Sequence, residues 1–275
     1  MDITQTQKPA LHQPIHHIKR SGIYLVPISV VLAILIWYLV AHFSGFPAFI
    51  LPTPEMVWRK FLVAISDGSL IRHSLITLIE VMVGLTLGVM LATVQGYFLA
   101  KSRLVERLLS PYIVASQSVP IVAIAPLLVI WFGPGLTSKV LICALIVFFP
   151  VLVNTIVGLR SVPEELRELM RSLHATPWQT FKFLEVPASL PIFLGGLRIG
   201  ATLAVIGAVV GEFAGSDRGL GFLINVGRGQ YDTALVFVAV FTLIAMAMVL
   251  YGLVVFLESR LLSWRQRPED IVYTP

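Results

Sequence analysis

Long apolar runs, separated by short polar stretches, dominate this chain. A helix needs roughly 20 apolar residues to cross the hydrocarbon core of a bilayer. Six runs approach or reach that length: Ile23 to Phe43, Leu75 to Ala100, Ile113 to Phe132, Val140 to Gly158, Ile192 to Val210 and Ala234 to Leu257. The pattern predicts an all-α polytopic membrane protein with six transmembrane helices. Composition supports it, with 57% hydrophobic residues, 13% charged residues and a mean hydropathy of +0.87. A soluble domain carries about 25% charged residues because its surface needs polar cover.

The net charge of +5 acquires meaning from its distribution. With six crossings, the side holding the N-terminus carries Lys8, Lys19, Arg20, Lys101, Arg103, Arg107, Arg160, Arg167, Arg171, Lys182, Arg260, Arg265 and Arg267. The opposite side carries Arg59, Lys60, Arg72, Lys139, Arg218 and Arg228, and Arg198 falls within the fifth run. Basic residues concentrate on the cytoplasmic side of membrane proteins. Both termini and the polar stretch between the fourth and fifth runs are therefore expected in the cytoplasm. The basic balance needs no nucleic-acid partner.

The lone cysteine, Cys143, lies inside the fourth run and has no internal disulfide partner. Residues 1–20 are polar, and the run after them is too long for a signal-peptide core and lacks a small-residue cleavage site. The first helix is expected to be retained. His12, His16 and His17 read as part of a polar tail, since no fourth metal ligand is placed nearby. After the first run, Pro54 ahead of Glu55 and Met56 suits the start of a short surface helix.

Within the runs, Gly84 and Gly88 form a G-x-x-x-G pair that permits close helix approach. Gly195, Gly196, Gly200, Gly207 and Gly211 give the fifth run a small-residue face. That face is expected to admit a second copy of the chain. Pro120, Pro126 and Pro150 interrupt the third and fourth runs. Backbone groups freed by proline must be satisfied by neighbours or by a watery cavity. Gln117, Ser118 and Pro120 are accordingly pathway candidates, although an ordinary packing kink accounts for the prolines equally well. Glu80 and Arg198, ionisable within apolar runs, suit a substrate or proton site, and both also lie close enough to helix ends to snorkel into the headgroups. Glu212, beside Gly211 at the mouth of the fifth run, is a further pathway candidate.

The polar stretch between the fourth and fifth runs resolves into two short helices. Ser161-Val162-Pro163-Glu164 fits an S-x-x-E capping box, and Leu166, Leu169, Met170 and Leu173 follow as one apolar stripe. Thr176-Pro177-Trp178-Gln179 fits a second box of T-x-x-Q type, with proline at the first helical position. Trp178, Phe181 and Leu184 continue an apolar face, and Pro187 is expected to end the helix. A sharp turn is predicted at His174 and Ala175. Such a pair, with an exposed apolar stripe, is built to dock a partner.

This stretch resembles the cytoplasmic loop of ABC importer permeases, whose pattern is E-A-A, three residues, G, nine residues and I-x-L-P. Glu168-Leu169-Met170 takes the first place, His174 stands where the pattern has glycine, and Leu184-Glu185-Val186-Pro187 takes the last. Histidine is a departure from the pattern at the turn, because glycine supplies positive φ more cheaply. Trp131-Phe132-Gly133, Phe149-Pro150-Val151-Leu152-Val153-Asn154-Thr155, Gly196-Leu197-Arg198-Ile199, Gly211-Glu212-Phe213 and Gly219-Leu220-Gly221 are similar to the nitrate/sulfonate/taurine/bicarbonate branch. Ser116-Gln117-Ser118-Val119-Pro120 with Ala125-Pro126 is more similar to members serving a thiamine pyrimidine precursor or riboflavin.

The resemblance implies one half of a type I importer. Residues 21–260 would form a single permease domain with a coupling loop at 161–187, between cytoplasmic tails at 1–20 and 261–275. Two copies would enclose the pathway in the bacterial inner membrane. Two ATPase subunits, binding ATP and Mg, would receive Glu168, Leu169, Met170, Leu173, His174 and Ala175, with Pro187 leading into the spans. A solute-binding protein would deliver the solute outside. The chain itself has no G-x-x-x-x-G-K-[ST] loop, so ATP hydrolysis by that route, and a cofactor of its own, are not expected. A secondary transporter would show inverted repeats with paired broken helices, and a membrane enzyme would show clustered catalytic residues. The sequence shows neither.

Overall fold

The computed structural model describes residues 22–264 apart from 103, 105, 106, 109, 110, 114, 116 and 117. The tail with His12, His16 and His17, the pathway candidate Gln117, and Lys8, Lys19, Arg20, Arg103, Arg265 and Arg267 lie outside the described residues. The chain divides into two compact units, Met1–Pro54 and Glu55–Pro275. The described part of the first is helix α1 (Gly22–Phe43) and the turns after it, where the Trp37 indole N–H donates to the Pro52 carbonyl at 3.1 Å.

The second unit starts with α2 (Pro54–Ser66), which begins at the proline the sequence marks. Then come α3 (Ser69–Lys101), α4 (Ile121–Phe132) and α5 (Leu136–Arg160). The short pair α6 (Glu164–Ser172) and α7 (Pro177–Thr180) follows, with a π turn at Phe181–Glu185. Helices α8 (Val186–Gly215), α9 (Leu220–Gly229) and α10 (Thr233–Leu261) complete the chain. No strand occurs among the described residues.

Among the described residues, four helices are long and apolar enough to cross a membrane: α3, α5, the continuous stretch Pro177–Gly215, and α10. The third apolar run is not one straight helix. It breaks at Ser118 and Val119, and Pro120 is extended (φ −68°, ψ 115°) as it leads into the 12 residues of α4. At 1.5 Å per residue α4 is about 18 Å long, short of the roughly 30 Å of bilayer core. Pro126 and Pro150 stay inside their helices. Of the three prolines, Pro120 makes the break.

The core is α5 held between α3 and α8. A methyl group at Gly88 would lie 2.7 Å from the Ala144 carbonyl oxygen, and one at Gly96 would lie 2.8 Å from Thr155. From the other side, one at Gly196 would lie 2.6 Å from Asn154 and one at Gly207 2.8 Å from the Cys143 Cα. Gly84 meets Cys143 more closely still. Cys143 is fully buried between the two glycine faces, and its thiol donates to the Ala204 carbonyl at 3.3 Å. The small-residue face of α8, expected to admit a second copy, is thus occupied by α5. Only Gly195 within that face has open space beside it.

Gly84→Val should therefore destabilise the fold by overpacking, by about 1–3 kcal/mol or more. The thermal unfolding midpoint in detergent checks this, and Cys143→Gly in the same chain should recover part of the loss. Gly195→Ala should leave the midpoint unchanged.

Candidate functional site

Sequence alone places the candidate residues on α6, α7 and the turn between them. The expected S-x-x-E box does not form. Ser161 still belongs to the end of α5: its N–H bonds to the Val157 carbonyl and its hydroxyl donates to the Gly158 carbonyl at 2.8 Å. Pro163 is the residue that opens α6, with no side-chain cap. Glu164 and Glu165 in the first turn offset the exposed amides electrostatically instead.

The turn after α6 reverses sharply at His174 and Ala175, as the sequence predicts. The His174 N–H bonds to the Arg171 carbonyl and the Ala175 N–H to the Met170 carbonyl, both at 2.9 Å. These two bonds form a Schellman motif, which needs a left-handed residue at its centre. His174 takes that conformation, with φ of 51°. The backbone bonds hold the geometry that glycine would adopt with less strain.

Next, α7 is capped as the sequence predicts. The Gln179 N–H donates to the Thr176 hydroxyl oxygen at 3.3 Å, and the Thr176 N–H donates to the Gln179 side-chain oxygen at 2.7 Å. Pro187 does not stop the helix. The π turn ahead of it, in which the Val186 N–H bonds to the Phe181 carbonyl, absorbs one extra residue, and the helix runs on to Gly215. A π turn suits a proline because its looser ladder tolerates a missing donor.

The pair leaves its apolar stripe uncovered. Leu166, Leu169, Leu173 and Trp178 are exposed at 42%, 54%, 67% and 67%, Glu168 is exposed beside them, and Met170 and Ala175 are half-buried. Trp178 stacks on Phe181, whose ring meets Tyr97 of α3 edge-on at 5.3 Å. These rings, with Thr93, Thr155 and Phe193, line a groove of about 610 Å³ among α3, α5 and α8. At the foot of α8, Glu185 is 1% exposed and lies 2.5 Å from Lys101 at the end of α3. The sequence reading passed over Glu185. Its signal was its position four residues after Phe181, on the face otherwise formed by Trp178 and Phe181.

At the other end of the bundle, the first amides of α9 are capped by side chains from other helices. The Gly219 N–H donates to His73 Nδ1 at 2.9 Å and the Leu220 N–H to the Thr77 hydroxyl oxygen at 2.8 Å. The Gly221 N–H donates to the Glu212 carboxylate, which also accepts from the Thr77 hydroxyl at 2.6 Å. Lys139 pairs with Glu80 at 3.5 Å and donates to the Ser216 hydroxyl oxygen at 2.7 Å. Glu212, Glu80 and Lys139 are 0%, 1% and 4% exposed. Glu80 is enclosed by protein and does not reach the headgroups. Arg198 does not snorkel alone either: it pairs with Glu258 of α10 and lies over the Tyr251 ring. Ser118 and Pro120 are exposed at the break before α4.

Residues 84–263 match a family model described as binding-protein-dependent transport system inner membrane component. The riboflavin transport system permease protein RibX of Chloroflexus aurantiacus is 46% identical over 239 residues, 87% of this chain and 89% of that protein. The formylaminopyrimidine transport permease protein ThiX of Halalkalibacterium halodurans is 38% identical over 251 residues, 90% of this chain and 99% of that protein. Among solved structures, a chain of the MetNI methionine ABC transporter has the same fold. It matches with a TM-score of 0.60 at 20% identity, over 74% of this chain and 98% of that one.

Two substitutions probe the two ends. His174→Gly should relieve about 1 kcal/mol of left-handed strain and raise the unfolding midpoint by about 2–4 °C, read by scanning fluorimetry in detergent. Glu212→Leu should cost about 3–5 kcal/mol, because it strands the Gly221 amide and removes a carboxylate from beside buried Lys139. Thr77→Val should cost about 1–3 kcal/mol by the same measurement.

Proposed function

This chain belongs to the family of binding-protein-dependent transport system inner membrane components, and on that premise we propose that it works as the homodimeric permease of a type I ATP-driven importer. Two copies enclose the pathway. Two cytoplasmic ATPase subunits, which hold the ATP and Mg, receive α6 and α7 in surface clefts, and an outer binding protein delivers the solute. The chain itself is not the enzyme. Residues 21–260 act as one permease domain, and both termini face the cytoplasm of a bacterial inner membrane.

One observation carries the docking role: the leucine stripe of α6 is exposed on a helix pair anchored at its turn. An apolar face in water needs a partner. Leu169, Met170 and Leu173 fill the partner's cleft, Glu168 beside them meets a basic group, and His174 and Ala175 fix the angle. Motion enters α8 through the π turn and Pro187. At the pathway, Ser118 and Pro120 flank the break before α4 and Gln117 is assigned to the same wall from its place in the sequence, while Glu212 holds the opposite end of α8 against α3 and α9.

The names of RibX and ThiX favour a vitamin or vitamin precursor of the nitrogen-heterocycle class as the solute. Radiolabelled riboflavin and formylaminopyrimidine, offered to cells expressing the chain with its neighbouring ATPase and binding protein, test this. Uptake of either supports the assignment. Uptake of taurine or an alkanesulfonate alone replaces it with the sulfonate alternative.

Glu168→Lys should lower ATPase co-purification or solute uptake by about tenfold, the equivalent of one charge-assisted contact. Wild-type levels of both would remove Glu168 from the docking surface. After Cys143→Ala, a cysteine placed by Ser172→Cys should react with an impermeant maleimide in inside-out vesicles and stay unlabelled in intact cells. The complex should contain two permease chains per two ATPases by native mass spectrometry.

A further inference from the structure

The end of the bundle that carries α6 is tied together at a single carboxylate. Glu185 is the last residue of the π turn, and its side chain is buried against α3 and α6. Its Oε1 lies 2.5 Å from Lys101 Nζ at the end of α3 and 3.9 Å from Arg167 Nη1 of α6. Arg167 in turn donates through Nη2 to the Leu159 carbonyl at the end of α5, at 2.7 Å. Arg160 donates to the Leu99 carbonyl at 3.4 Å, joining α5 to α3 one turn further in. Glu164 approaches the opposite edge of Arg167 at 3.8 Å. Glu185 Oε2 is buried without a hydrogen-bond partner among the described residues.

We propose that Glu185 is a positioning residue, the joint that fastens α6 to the ends of α3 and α8 so that the helical pair and these two spanning helices move together. The proposal rests on the importer reading and adds the route by which motion leaves the docking helices.

Three features support it. First, the covalent route from α6 to α8 passes through the His174 turn, α7 and the π turn, and reaches no other spanning helix. The Tyr97–Phe181 ring contact reaches α3 from the π turn, and the carboxylate adds the charged tie that joins α6 itself to α3, through Arg167 and Lys101. Second, the π turn adds one residue per turn, which rotates the residues after it by about a quarter turn or more relative to an α-helix. That rotation carries Glu185 inward at the level where Lys101 and Arg167 arrive. Third, both cations share one oxygen while the other is unused. A tilt of α6 by about 1 Å would bring Arg167 to hydrogen-bonding distance without breaking the Lys101 bond. The joint therefore has slack on the α6 side and is tight on the α3 side, as a connection between a driven helix and a spanning helix requires.

The cations remain solvated if the carboxylate is lost. Lys101 and Arg167 side chains are 42% and 25% exposed. Glu185→Gln thus strands no fully buried charge, and Lys101→Gln changes a side chain that already reaches solvent.

The test uses the complete transporter in proteoliposomes. Cys143→Ala removes the native thiol, and Tyr231→Cys provides a reporter at the far end of the bundle, where Tyr231 is 77% exposed. The readout is the rate of maleimide labelling with ATP and vanadate divided by the rate without nucleotide. In the parent, this ratio should differ from one by about threefold or more, the equivalent of a population shift of roughly 0.7 kcal/mol. In Glu185→Gln and in Lys101→Gln it should fall to about one, while the ATPases still co-purify and hydrolysis continues. Lys101→Arg should restore it. A parent-like ratio in Lys101→Gln overturns the joint, whether or not Glu185→Gln assembles. Loss of the ATPase from either variant also overturns it, by placing these residues in docking. A parent chain that binds no ATPase overturns the importer reading itself, which is a separate result.

Discussion

The rest of the structure depends on two helices closing on one residue. In lipid there is no hydrophobic gain in bringing helices together, so association relies on van der Waals contact and on interhelical hydrogen bonds. Gly84 on α3 and Gly207 on α8 press on Cys143 from opposite sides, and Gly88, Gly96 and Gly196 extend the contact along α5. The missing methyl groups let backbone meet backbone, which multiplies the small contact energies. Because α5 is enclosed in this way, its two ends are held in place. The Glu185 and Glu212 clusters are arranged around those ends.

The two ends use the same chemistry for different purposes. At one, Glu212, Thr77 and His73 supply the acceptors that the first amides of α9 lack, so a short helix is fixed by its neighbours. Buried Lys139 and Glu80 complete that cluster, and a lysine and a carboxylate so enclosed are costly unless paired. At the other end the carboxylate of Glu185 meets cations that still reach water. An enclosed cluster resists displacement, whereas a half-solvated one can exchange partners at little cost. The bundle is therefore stiffer where α9 sits and more adjustable where α6 sits.

The helical pair itself is rigid for local reasons. A Schellman turn closes α6, a reciprocal capping box opens α7, and ring contacts hold α7 against α3. None of this covers the leucine stripe. A stiff element with an exposed apolar face, anchored at its base by charge, is well suited to pass on a push from a docked partner. That physical form matches the role proposed for it.

How much of this was legible in the sequence differs by element. Hydropathy marked the helices, since a backbone in lipid must bond to itself and only long apolar runs can do so. The T-x-x-Q box and the start of α2 were legible because capping is a contact between residues three apart. The S-x-x-E box failed because Ser161 had a competing local use, closing α5. The sharp turn at His174 was legible from the two boxes around it, whereas the passage through Pro187 was misjudged because backbone bonds on either side outweigh the preference of one residue. The glycine faces were visible, but their partner was not: α8 could have faced a second copy, and only packing assigned it to α5. Glu80 and Glu212 were seen as isolated charges near helix ends, and Glu185 was passed over. Their burial depends on Lys139, Thr77 and Lys101, residues 59, 135 and 84 positions away. The sequence by itself determined the helices, the local caps and the site of the helical pair, because those follow from neighbours along the chain. The tertiary structure alone decided which charges meet and which glycines touch, because those contacts join positions that no local pattern relates.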